Sequence, residues 1–150
     1  ARVNADAIAA AALADAPDDA TRARCRIARA VDAYRRGAIG ASVTELNALD
    51  TLVAALDDAA LRARARYWRG QCNQVLGHLD AAQFYFGQAL VDAERAGAVD
   101  VAAWVRVGLT ELAQRSGNRP GVRDALTLAA ALAPRTGDLT LRAEVLRLQA

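Results

Sequence analysis

The sequence predicts an all-α protein made of helix hairpins repeated along the chain, and three observations carry this. Glycine recurs at Gly37, Gly77 and Gly117, two successive spacings of 40 residues, and a fixed period of this size marks a stacked-repeat architecture. Hydrophobic residues make up 54% of the chain but aromatics only 5%. The apolar content is therefore mostly Ala, Leu and Val, which suits closely packed helices. No Val/Ile/Thr-rich alternating run is bounded by turn residues, so no strand is expected.

Set in register on the glycines, the chain divides into three whole units, 18–57, 58–97 and 98–137. Residues 1–16 read as the second helix of a preceding repeat, and 138–150 as the first helix of a further one. Ala23, Ala63, Ala103 and Ala143 form a uniform column. In the second unit Leu61, Ala65, Trp68, Cys72 and Leu76 fall at three- and four-residue steps, the stripe of an amphipathic helix. Asp58 and Asp138 stand where an N-cap carboxylate would meet orphan amides and the positive end of the helix dipole.

A second helix follows each glycine. Asp80-Ala81-Ala82-Gln83 and Ser42-Val43-Thr44-Glu45 both fit a capping box, and Pro120 suits a first helical turn. Gly97 and Gly137 supply the stop signals in one column, with Asp57 in the same place. The unit is thus helix, tight turn, helix and short link. Half-repeats at both ends, and the absence of Met even at position 1, are expected of a segment cut from a longer protein.

All 19 basic residues are arginine. With the heavy use of Ala, this points to the codon composition of a GC-rich genome rather than to function. The formal charge is +2 and acids alternate with the arginines, which gives no electrostatic case for nucleic acid. Cys25 and Cys72 lack CxxC spacing and sit on apolar faces, as reduced cysteines of a cytoplasmic protein would. Arg2, Asp6 and Asp15 argue against a signal peptide in the first residues. No apolar run reaches membrane-spanning length.

Catalytic and cofactor signals are absent from the pattern. His78 is the sole histidine and stands beside Gly77, where a turn residue is expected; with Asp80 it lacks a third metal ligand. The doublets Asp18-Asp19 and Asp57-Asp58 fall at helix starts and read as caps. Gly37-x-x-Gly40 follows a helix, not a strand, which removes a phosphate-loop reading. No enzyme activity, cofactor or metal is expected.

Gly70, Gly77, Leu79, Ala82, Phe86 and Ala89-Leu90 make the second unit resemble the tetratricopeptide repeat (TPR). The third unit is similar through Trp104, Val107 and Gly108, with Leu126 and Ala129 after the turn. The first retains Ala30, Gly37, Ile39, Leu46 and Leu49. The departure is the 40-residue period against the family's usual 34, which resembles the long repeats of bacterial transcription regulators. HEAT repeats, with a similar period, are the alternative fold. The TPR resemblance implies a right-handed superhelical stack whose first helices line a concave groove. Carried over by register, the groove residues are Arg24, Arg64, Tyr67, Gln71, Gln74 and Trp104. Ile27, Val31 and Tyr34 flank them in the first unit, as do Val107, Glu111 and Gln114 in the third.

The resemblance implies a scaffold for a protein or peptide partner, a neighbouring domain of the same chain included. It would serve as a regulatory or sensor segment of a larger bacterial protein. Self-association through exposed terminal helices is the alternative, and RNA binding in the manner of helical repeats a remote one.

Overall fold

The computed structural model describes residues 18–150, so the helix expected over 1–16 lies outside the described residues. These residues form eight helices and no strand: α1 (Asp19–Arg35), α2 (Ile39–Ala48), α3 (Asp50–Ala55), α4 (Ala59–Val75), α5 (Leu79–Ala96), α6 (Val99–Arg115), α7 (Arg119–Thr136) and α8 (Leu139–Gln149). Each packs against the next in sequence. In addition α1 touches α4, α4 touches α6, and α6 touches α8.

The turns follow from glycine. At Gly77 the chain swings to φ +80°, a left-handed conformation that costs a residue without Cβ little. There the His78 amide donates to Asn73 O at 2.9 Å and the Gly77 amide to Gln74 O at 3.2 Å. This is the paired Schellman closure of a helix end. Gly97, with φ +64°, ends α5 in the same way.

Asp18, Asp58 and Asp138 cap α1, α4 and α8, their carboxylates accepting from the amides of Thr21, Leu61 and Leu141. The two expected capping boxes do not form. His78 stands at the N-cap of α5 and Ala38 at that of α2, and neither gives a side-chain cap. The helix resumes two residues after the turn glycine, which leaves Asp80 and Ser42 already inside it. Ser42 is instead buried against Cys72 Sγ at 3.4 Å, and Glu45 holds Arg26 and Arg29. Pro120 does stand in the first turn of α7.

The second helix of the first unit is broken at Leu49, where one continuous helix was expected. The Leu46 carbonyl, which would accept from residue 50 in an unbroken helix, instead takes the Leu49 amide at 3.2 Å and the Arg69 guanidinium at 3.0 Å. Arg69 also bonds Asn47 Oδ1 and Asp50 Oδ2. A side chain inserted into the hydrogen-bond ladder opens a helix at that point.

The core lies in three linked clusters, each between successive hairpins: around Ile27, Leu46 and Leu61; around Phe86, Val101 and Val105; and around Val107, Ala129 and Leu141. Ala23, Ala63 and Ala103 are fully buried, whereas Ala143 of the same column is exposed. Leu76, last of the α4 stripe, is also exposed because it has already entered the turn.

Candidate binding cleft

The face of α4 that carries Arg64 and Tyr67 opens on a cleft of about 380 Å³. Its lining comes from four helices and the link before α8: Arg35 of α1; Arg64, Tyr67 and Trp68 of α4; Asp100, Val101 and Trp104 of α6; and Asp138 and Thr140. Both tryptophans of the chain are therefore in one wall.

The rings are held from behind. Trp68 stacks edge-on with Tyr34 and Tyr67 at centroid distances of 5.3 and 5.2 Å, and Tyr67 lies 6.1 Å from Phe86. The Tyr67 hydroxyl accepts from Gln71 Nε2 at 3.0 Å, while Gln71 Oε1 accepts from the Tyr34 hydroxyl at 3.4 Å. Burial pushes the Tyr67 hydroxyl above the ordinary phenol range. Trp104 Nε1 donates to Asp138 Oδ2 at 3.0 Å, and the other oxygen of that carboxylate caps α8. The Leu141 amide chiefly, and then the Trp104 indole, hold Asp138 below the usual carboxyl range. One acid thus starts a helix and fixes an indole.

Arg64 faces Asp100 across the two helices at 3.6 Å, with both side chains about half exposed. An ion pair so open to water is worth roughly 0–1 kcal/mol, so it yields readily to a ligand carrying its own charges. The lining supplies two guanidiniums, two carboxylates, three rings and the Thr140 hydroxyl. That set fits an extended polar backbone with an apolar anchor.

Of the six groove residues read from the sequence, the structure brings Arg64, Tyr67 and Trp104 together in the cleft. Gln71 and Gln74 are buried, 9% and 3% exposed, and work behind the wall. Gln74 Nε2 donates to Glu111 Oε2 at 3.5 Å, and its main-chain oxygen accepts from Arg115 at 3.0 Å. Arg147 reaches the other Glu111 oxygen at 3.2 Å. Burial, ahead of the neighbouring Glu144 charge, raises the Glu111 carboxyl. Arg24 is exposed on α1 outside the lining.

Arg35, Asp100, Asp138 and Thr140 were not anticipated as lining. Their signal was the stagger of the helices rather than any motif. Most side-chain hydrogen bonds between successive first helices join residues 34, 36 or 37 apart, the exception being Arg115 to Gln74 O at 41. Those pairs fall three, four or six residues short of the 40-residue period, a displacement of about one helical turn. No cluster of three or more potential metal-ligating side chains occurs among the described residues. No helix among them is long and apolar enough to cross a membrane. Against protein-family models and against curated proteins the chain finds no match.

Proposed function

We propose that the protein is a non-catalytic scaffold that binds an extended segment of a protein partner in the cleft across α4 and α6. The observation that carries this reading is the lining itself: Trp68, Trp104 and Tyr67 beside Arg35 and Arg64, with the rings already fixed by their own hydrogen bonds and stacking. Preorganised aromatic anchors reduce the ordering cost of binding. The contacts of α1 with α4, α4 with α6 and α6 with α8 support the TPR-like stack in which such first helices form a concave surface. Within that reading the chain is a regulatory or sensor segment of a larger cytoplasmic bacterial protein such as a transcription regulator.

Peptides selected from a displayed library against the whole chain provide the test. Bound peptides should change the intrinsic tryptophan fluorescence, and the Arg35→Ala/Arg64→Ala double variant should lose at least about tenfold in affinity, the equivalent of about 1.4 kcal/mol. Peptides that bind the double variant equally well and leave the fluorescence unmoved would place the site elsewhere.

Self-association is a second reading, favoured by Leu139 and Leu146, which are 74% and 65% exposed on α8. Paired apolar side chains on one helix suit a second apolar surface. Sedimentation of the chain with Leu139→Ser and Leu146→Ser should then show a lighter species than the parent; identical profiles would remove this reading.

A further inference from the structure

We propose that the groove between α3 and α5 is a second docking site, separate from the cleft. It would take a segment of a protein partner that presents a carboxylate beside an apolar side chain. The groove encloses about 170 Å³, and Arg62, Arg66 and Arg69 of α4 line it. Their four- and three-residue spacing puts them on one face of the helix, opposite Arg64 and Tyr67.

The groove is lined by three guanidiniums and a single carboxylate, Asp50. Asp92, 3% exposed, is shared between Arg62 and Arg66 from beneath. At the rim Asp50 takes Arg69 at 2.6 Å. Arg62 also lies 4.0 Å from Asp57, whose exposed carboxylate is outside the lining. Arg66, whose side chain is 35% exposed, sends one N–H to Asp92, and a guanidinium carries five. It has donors left for an incoming carboxylate in the bidentate geometry that arginine favours.

The walls are rigid and one of them is apolar. Arg69 ties α2 and α3 through Leu46 O and Asp50, and on the other side donates to the Tyr85 hydroxyl at 3.1 Å while lying 5.3 Å from that ring's centroid. Phe84 stacks edge-on against Tyr85, yet is 61% exposed. An exposed ring held in place next to unspent guanidinium donors is complementary to an acidic residue followed by an apolar one.

A short peptide of alternating Glu and Leu, titrated into the isotope-labelled chain to about 1 mM, the weak end of specific binding, tests this. Saturable amide shifts are expected over Asp50–Ala55 and Phe84–Gln88, with smaller or no shifts at Arg64 and Trp104. Phe84→Ala should weaken the peptide about tenfold, since a buried ring contributes on that order. Ala54→Asp, which adds a carboxylate at the rim without touching Asp92, should abolish it. The matched Gln/Leu peptide should not bind. Shifts confined to the cleft, no shifts at all, or full binding by Ala54→Asp would overturn the proposal. So would equal shifts from inorganic phosphate alone, because a bare anion would then suffice.

Discussion

The ring of Phe86 rests directly on the backbone of Gly70: a Cβ built on Gly70 would lie 2.5 Å from the ring's Cδ1 and Cε1. Gly108 closes the other side, where a Cβ would come within 2.8 Å of Cζ. A fully buried ring of one hairpin is thus clamped by bare backbone from two first helices. This contact links α4, α5 and α6 and holds the helices that carry the cleft.

Glycine substitutions should therefore change sign with position. Gly70→Ala gains about 1 kcal/mol of helix propensity but must displace a ring with nowhere to go, an overpacking cost of about 1–3 kcal/mol. A net loss is expected, smaller for Gly108→Ala. Gly87→Ala, on α5 with no atom within 4 Å of the new Cβ, should stabilise by about 0.5–1 kcal/mol. Urea denaturation midpoints of the three variants check the order.

Asp92 is the buried anchor of Arg62 and Arg66. Asp92→Ala should cost about 2–3 kcal/mol, because it leaves two partly buried guanidiniums without their carboxylate. The loss should persist at high salt, since screening acts weakly on a buried pair. A chemical denaturation series at low and high salt measures it; full recovery of stability with salt would contradict the assignment.

Glu111 sets a pH dependence of the less common sign. Its folded carboxyl is raised by burial, so the native state holds that proton more tightly than the unfolded chain does. The charged form is then a cost above the folded pKa, and the cost is removed as pH falls through that value towards the ordinary 4.5. Glu111→Gln should therefore be at least as stable as the parent at neutral pH, with the advantage shrinking on acidification. Asp138, whose carboxyl is lowered, works in the opposite direction: its contribution is present above the ordinary carboxyl value and lost as pH falls through its folded one. Comparing thermal midpoints of each variant with the parent across that range separates the two.

Asp138→Ala should act at two places at once. It removes the α8 cap, at about 1 kcal/mol, and frees the Trp104 indole N–H. A red-shifted or broadened tryptophan emission is expected together with the loss of stability. Asp58→Ala, which removes an equivalent cap on α4, should destabilise without moving the Trp104 component. Emission spectra of the two variants check the distinction.

Much of the fold was legible in the residues alone because it is local. Glycines mark the turns since a left-handed φ is cheap for them, and Asp18, Asp58 and Asp138 cap helices through amides three residues away. The helical content follows from Ala and Leu, and the 40-residue spacing shows where each hairpin begins. The two expected capping boxes failed for an equally local reason, the helix having already started when Ser42 and Asp80 are reached.

The site was legible only in part. Arg64 and Trp104 share one column of the self-alignment and Tyr67 lies three residues on from it, whereas Arg35 and Asp138 enter the cleft from other registers and Gln71 and Gln74 are drawn behind it. Relative translation of packed helices is set by how their side-chain ridges meet, and no single helix contains that information. The one-turn stagger, the Phe86 clamp between Gly70 and Gly108, and the opening of the chain at Leu49 by Arg69 are all decided between segments distant in the chain. The sequence by itself determined the hairpins and their period. The tertiary structure decided which of their faces meet, and so which side chains form the cleft.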